Sequence, residues 1–485
     1  MFVRCAPAEV ADIVGRLRGD LPSKRMESLA LEAAVEDLYD CIEQRFEDAA
    51  ALDVLFVTGL EKSLVDDIRP GIGGQGDYYN EDIMPRVLGN LNLRREQFRD
   101  ELNCCLVIFG PMFAKKYLLR RAQDFFDWRT SIYEFPMAAE MVEELSLKVC
   151  SGGDYDEYFE LSATERKDRI LEIKDLLEEP NKTLDQQCEL FFELGMVFYA
   201  DGLYQESISS YEKALQIKPD KQKVWYKQGR VLVDLGRTEE AIHSYSHAIE
   251  IKPDDHHAWY GKGWALGKLG KYEEAVLYCE QALKVKPDDY IAWCGRGWFL
   301  GKLGNYEEAI VSYDRAIEIN SDDHLSWNNR GYALNNLGKY EEAILCCDRA
   351  IAINSDSYKS WNNWGFALSN LGQYEEAISF YNRAIEIRSD YDLTWYNRGN
   401  AFLNLGKAEK AIRSYEHALE IKPDKHEAWY NKSCAHALQN QLNNALESLT
   451  KAIELDPKYR ELAKTDTDFE PIRHDPRFQT LLNED

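Results

Sequence analysis

The sequence predicts a mainly α-helical protein in which about eight helix pairs stack in a row behind a small α/β domain. Three observations carry that prediction. Trp225, Trp259, Trp293, Trp327, Trp361, Trp395 and Trp429 recur every 34 residues. Glycine and alanine recur in phase with them. Roughly the first 185 residues break this rhythm and alternate short apolar runs with helical patterns.

Taking the elements in order, "FVRC" from Phe2, "DVLFVTG" from Asp53 and "CCLVIFG" from Cys104 are short and apolar enough to be buried strands. Helical patterns lie between them near residues 7–18, 24–50, 92–102 and 113–127. That alternation predicts a small parallel α/β sheet within residues 1–135. "PGIGGQGDYYNEDI", residues 70–83, carries Gly71, Gly73 and Gly76 at dinucleotide-turn spacing. Prolines and charged residues flank it where a strand and a helix are required, so it reads as a loop. Residues 136–187 return to a helical connector. There Ser162 and Glu165 form an N-terminal capping box, Gly152-Gly153 marks a loop and Pro180-Asn181 a short linker.

From residue 188 to about 460 one unit repeats eight times, the first with Phe191 in place of tryptophan. The tryptophan, the glycine four later (Gly229, Gly263, Gly297, Gly331, Gly365, Gly399) and the Leu or Phe seven later share one face of a first helix. A turn such as "LGKYEEA" follows. The second helix packs through an alanine pair, Ala241 and Ala248 in one unit and Ala411 and Ala418 in another. Pro219, Pro253, Pro287, Pro423 or Pro457 ends it. Ser321, Ser355 and Ser389 replace that proline, and Cys279 and Cys347 replace the second-helix aromatic, leaving only local rigidity in question.

This pattern of aromatic, glycine, alanine, aromatic, alanine and proline over 34 residues resembles the tetratricopeptide repeat, of the bacterial, cyanobacterial-like type. The resemblance implies a right-handed α-solenoid. Residues 461–485 then read as a capping helix and tail that cover the last apolar face. With tryptophan at position 4, the stripe at positions 6, 9 and 13 lines the concave groove in such repeats. Here it holds Asn329, Asn363, Asn397 and Asn431; Trp264, Trp298, Tyr332, Phe366 and Asn400; and Lys268, Lys302, Asn336, Asn370 and Asn404.

Asparagine contributes little to helix formation, so a row of four is better explained by the donor and acceptor each amide offers to an extended peptide backbone. It resembles the asparagine ladder of the O-linked N-acetylglucosamine transferases, without any glycosyltransferase domain following. The plainer alternative is that these amides are solvated or bonded to neighbouring repeats. The aromatic strip likewise either anchors apolar side chains or packs across adjacent helices. Lys223, Lys227, Arg230, Lys268 and Lys302 make the early groove basic and favour an acidic stretch in the ligand, unless they are simply a solvated face.

A net charge of −27 argues against nucleic acid and anionic membrane as partners and favours a protein or peptide. No run of about 18 apolar residues and no leader-like start occur, and the eleven scattered cysteines suit reduced thiols, so a cytoplasmic chain is expected. All nine histidines lie at or after His243 and read as solvated, with no metal or other cofactor expected.

Residues 91–135, with "VLFVTGLE" at 54–61, resemble a degenerate signal-transducing P-loop ATPase domain of the kind found ahead of such arrays. The phosphate-binding Gly-x-x-x-x-Gly-Lys-[Ser/Thr] loop is missing, and Thr58 or Gly59 stands where the acidic strand-end residue belongs, with Glu61 nearest. If "FVRC" were the second strand of such a domain, the first would precede Met1. The expected function is therefore a non-enzymatic peptide-binding scaffold; the alternative is the sensor and hub portion of an ATPase-type system with nucleotide bound at the front.

Overall fold

The structure, a computed structural model, describes residues 1–4, 7–46, 49–65, 86–102, 104–111, 132–134, 137, 139–150, 155–180 and 182–483, together with positions 114, 118 and 122. The glycine loop at 70–83, most of the helical pattern at 113–127 and the Gly152-Gly153 turn lie outside the described residues. The chain divides into two compact parts, Met1–Pro253 and Asp254–Asp485.

The first part opens with a five-stranded parallel sheet of β1 (Phe2–Arg4), β2 (Met26–Ala30), β3 (Val54–Thr58), β4 (Cys105–Gly110) and β5 (Ile132–Glu134). The strand order is β2-β3-β4-β1-β5. The apolar runs in β3 and β4 bury both faces, as parallel strands between helices do. On one face Phe56, Val107 and Phe109 meet Val14 of the helix Pro7–Asp20. On the other, Leu55, Val57 and Ile108 meet Leu38, Ile42, Leu88 and Leu91 from the helices Leu38–Arg45 and Arg86–Leu93.

The span 24–50, expected as one helix, is instead β2 followed by Leu38–Arg45. "MESLA" pairs Met26–Ala30 with Val54–Thr58, and long-range pairing overrides a helix-compatible local sequence. β5 was equally unforeseen: an edge strand of three residues carries no periodic signal.

In the connector, Ser162 caps the helix Ala163–Glu178 as expected. Its hydroxyl accepts from the Glu165 N–H at 3.3 Å, and the Glu165 carboxylate accepts from the Ser162 N–H at 2.7 Å. That helix, with Ala139–Cys150 and Tyr155–Glu160, packs on the first helix of the array, Leu184–Ala200. The buried Glu193 accepts the Tyr158 hydroxyl at 2.5 Å, and burial pushes its carboxyl up to about 8.

Helix pairs follow. The first part holds Leu184–Ala200 with Tyr204–Ile217, and Gln222–Asp234 with Thr238–Ile251. The second part holds six pairs whose first helices are His256–Lys268, Tyr290–Lys302, His324–Asn336, Tyr358–Asn370, Asp392–Asn404 and His426–Leu438. Within a pair, the glycine four after the tryptophan admits the second helix. A Cβ on Gly365 would come within 2.8 Å of the Tyr381 ring. Where cysteine replaces that tyrosine the helices still touch: a Cβ on Gly331 would lie 3.1 Å from the Cys347 sulfur. Each first helix ends in a left-handed residue, Gly372 with φ 79° for example; in the last repeat Asn440 takes this role at φ 56°.

The tryptophans differ from the expected core residues. They are half-buried, and the indole N–H of Trp225, Trp293, Trp327, Trp361, Trp395 and Trp429 donates to the carbonyl six residues earlier. The acceptors are Pro219, Pro287 and Pro423, and equally Ser321, Ser355 and Ser389, at 2.7–2.9 Å. The serine-for-proline changes leave that bond in place, because the acceptor is backbone.

After the last pair, Lys458–Thr465, a 3₁₀ turn at Thr467–Ile472 and Pro476–Asn483 cover the eighth repeat. Tyr459, Phe469, Phe478 and Leu482 pack with Tyr430, Leu449 and Ile453.

Candidate functional site

Within the second part, first helices of successive repeats touch one another: His256–Lys268 with Tyr290–Lys302, and so on to Asp392–Asn404 with His426–Leu438. The stripe at positions 6, 9 and 13 therefore runs along one continuous row of helices, but its members sit at different depths.

At position 9, Trp264 and Trp298 are half-buried with ring centroids 5.6 Å apart. The exposed Lys302 places its ammonium 5.2 Å from the centre of the Trp298 ring. Further along, Tyr332 and Phe366 stand 47% and 37% exposed. At position 13, Lys268, Asn336, Asn370 and Asn404 are exposed. The three asparagines fold back to accept no burial: Nδ2 of each donates to the carbonyl one turn earlier, on Tyr332, Phe366 and Asn400, at 2.8–2.9 Å. Asn400 is half-buried and its Oδ1 is already taken, accepting from Tyr415 at 2.8 Å and Asn431 at 2.9 Å.

Position 6 departs from the exposed face the sequence suggested. Asn363 and Asn397 are only 9% and 6% exposed, and Asn329 and Asn431 are half-buried. Their amides bond to the preceding repeat: Asn363 Nδ2 to Asn328 Oδ1 and Asn397 Nδ2 to Asn362 Oδ1, both at 3.1 Å. Asn431 Nδ2 reaches Tyr396 Oη at 3.2 Å as well as Asn400, while Asn329 Nδ2 lies 3.9 Å from the Cys294 sulfur. The row is a seam of amides between helices, because at this packing distance an inward amide must be paired.

Sequence reading missed the other half of that seam. Asn328 and Asn362, one position earlier, are buried acceptors, and buried Asn335 donates to the Asn363 carbonyl at 2.9 Å. The doubled "WNN" in two repeats was the signal, since a solvated row needs only one asparagine per turn.

The basic residues of the second repeat belong to the first part. Arg230 lies 5.8 Å over the Tyr199 ring and Lys227 5.9 Å over Tyr226; Lys223 is exposed. At the other end of the chain, Cys434, Asp466 and Asp468 bring a sulfur and two carboxylates together. The thiol donates to Asp466, which also accepts from Tyr430 at 2.6 Å and from the Asp468 N–H at 3.0 Å, so hydrogen bonds already account for the group. Burial holds the thiols of Cys279, Cys347 and Cys434 well above their ordinary value and pushes Cys294 up to about 11, which keeps them un-ionised and unreactive. In the α/β domain, Glu61 sits just past β3 with one carboxylate oxygen buried and unpartnered, and burial raises its pKa.

Tetratricopeptide-repeat family models match residues 189–221, 226–290, 290–323, 324–357, 356–424 and 396–460, which together make up more than half of the chain. The chain belongs to the tetratricopeptide repeat family. No curated protein matches it. Among solved structures, a tetratricopeptide repeat protein from Parabacteroides merdae is similar at 18% identity, over 51% of this chain and 98% of its own, with a TM-score of 0.44. YrrB, described as a tetratricopeptide repeat protein with an unusual peptide-binding site, is 23% identical over 39% of this chain and 98% of its own, with a TM-score of 0.32. A thermophilic tetratricopeptide repeat protein of Thermus thermophilus, TTC0263, is 20% identical over 37% and 98% respectively, with a TM-score of 0.34. Among the described residues no helix of this tetratricopeptide repeat protein is long and apolar enough to cross a membrane.

Proposed function

We propose that this tetratricopeptide repeat protein is a non-enzymatic cytoplasmic scaffold that binds an extended peptide segment along the first helices of its second part. The observation that carries the reading is the outer row: Tyr332 and Phe366 exposed on neighbouring helices, flanked by exposed Lys268 and Lys302 on one side and by Asn370 and Asn404 on the other. Exposed aromatics in register supply contact area at low entropic cost, and the surface amide of Asn404 keeps an acceptor and a second donor hydrogen for a peptide backbone, while Asn370, whose Oδ1 accepts from the Tyr340 hydroxyl at 3.3 Å, keeps its second donor hydrogen. The lysines favour an acidic stretch at one end of the ligand. Asn329, Asn363, Asn397 and Asn431 serve this surface from beneath, by holding its helices in register.

The test uses a panel of synthetic peptides that place acidic and aromatic residues at varied spacing, read by fluorescence anisotropy. Tyr332→Ser with Phe366→Ser should weaken the best binder at least about tenfold, the loss expected of central aromatic anchors. Lys268→Glu with Lys302→Glu should reverse the preference for acidic peptides. Affinities unchanged by both pairs sink the reading.

A second reading, nucleotide binding by the α/β domain as part of an ATPase-type system, is favoured by one feature. In the parallel order β2-β3-β4-β1-β5, all five strands end on one edge, where such sheets hold ligands. Against it, the sequence has no phosphate-cradling glycine loop. Saturable magnesium-dependent ATP binding at micromolar concentration decides for it, and its absence leaves the scaffold.

A further inference from the structure

His243 and His247 lie one turn apart on the second helix of the second repeat, Thr238–Ile251. Their Nε2 atoms are 3.1 Å from each other. Two imidazole nitrogens that each bind one metal at about 2.0–2.1 Å, in tetrahedral or octahedral geometry, stand about 3.0–3.4 Å apart. The pair is thus already spaced as two adjacent corners of a coordination sphere. Both rings remain accessible, His243 exposed and His247 with 37% of its side chain in solvent.

The surroundings fix this geometry. The other nitrogen of His247, Nδ1, is 3.3 Å from a carboxylate oxygen of Glu250, so Nε2 is the nitrogen turned toward His243. A carboxylate behind a ligating imidazole sets its tautomer and ring orientation. Trp225, on the first helix of the same repeat, lies against His247 with ring centroids 4.6 Å apart and planes tilted by 33°, and meets His243 edge-on at 6.4 Å. Its indole N–H is tied to the Pro219 carbonyl at 2.7 Å, which holds that wall still. Glu239, one helical turn before His243, adds negative charge to the same face.

The repeat scaffold does not require these histidines. The equivalent pairs elsewhere are Ser209 and Lys213, Leu277 and Gln281, Val311 and Arg315, Leu345 and Arg349, Ser379 and Arg383, Arg413 and His417, and Glu447 and Lys451. Only the second repeat has imidazole at both positions. From the sequence the nine histidines read as solvated; helical spacing, which brings residues four apart together, sets this pair aside from the other seven.

We propose that His243 and His247 form a two-imidazole clamp for a borderline divalent ion such as Zn²⁺ or Ni²⁺. Imidazole suits these ions better than the hard cations Mg²⁺ and Ca²⁺. Two protein ligands leave the remaining positions to water or to a donor group on a partner, so the site is an open one.

The full-length protein, thiols kept reduced, is titrated with Ni²⁺ by calorimetry and by tryptophan fluorescence. One Ni²⁺ equivalent should vanish in His243→Gln and in His247→Gln, both surface changes that leave the helix intact by circular dichroism. The same titration should quench a fraction of the fluorescence that is missing in Trp225→Phe, while Asp468→Asn keeps the equivalent and so separates this clamp from the Cys434 group. Unchanged stoichiometry and quenching in the histidine variants, or a loss seen only in Asp468→Asn, overturns the proposal.

Discussion

At the scale of the residue, the repeating tryptophan is a hydrogen-bonded peg more than a core filler. Its indole N–H reaches over the turn to a backbone carbonyl, and its ring lies on the second helix, as Trp361 does on Phe380 at 5.6 Å. Trp327→Phe keeps most of the ring and removes the donor, so it should cost about 1 kcal/mol, the net worth of a neutral hydrogen bond. Trp293→Phe should cost the same despite its proline turn; hydrogen exchange of the helices Tyr290–Lys302 and His324–Asn336 compares the two. Glu193 makes a different prediction. Its carboxyl is raised to about 8 by burial, so the folded state holds a proton that the unfolded chain releases near its ordinary value of 4.5. Stability from this group is complete below about pH 4.5 and falls as pH rises toward 8. Glu193→Gln can still accept the Tyr158 hydroxyl, and should leave the melting temperature unchanged at pH 4 while raising it by several degrees at pH 8.5.

At the scale of the element, the inner asparagines are worth more to packing than to recognition. Asn328→Ala or Asn362→Ala strands a buried amide of the next repeat, Asn363 or Asn397, and should cost about 1–3 kcal/mol. Asn370→Ala, on the exposed row, should stay within about 0.5 kcal/mol. Local exchange protection of the helices Tyr358–Asn370 and Asp392–Asn404 measures both without assuming two-state unfolding. The helix register of the array was legible in the sequence because the 34-residue period fixes the phase of every position at once. Depth within the stripe was not: position 6 and position 13 are both polar, and only the approach of the neighbouring first helix decides that Asn363 is buried while Asn370 is exposed. In the α/β domain the apolar runs of β3 and β4 announced themselves, whereas β2 is a strand only because β3 pairs with it.

At the scale of the whole molecule, each repeat of the second part leans on its neighbours there, so the end of the array must be covered. Removing residues 458–485 would bare Tyr430, Leu449 and Ile453. The expected outcome is loss of exchange protection in the eighth repeat together with concentration-dependent association, seen by light scattering, while the sheet domain keeps its own protection. Equal protection in the eighth repeat of both proteins would show the terminal helices to be dispensable.

The amide seam of the second part also bears on binding entropy. Asn328, Asn362, Asn363 and Asn397 tie three successive repeats to one another from below, so the helices carrying Tyr332 and Phe366 cannot slide independently. The peptide proposed for the outer row would meet a surface whose ordering was completed when the chain folded, and the freedom lost on association would then be chiefly the ligand's own.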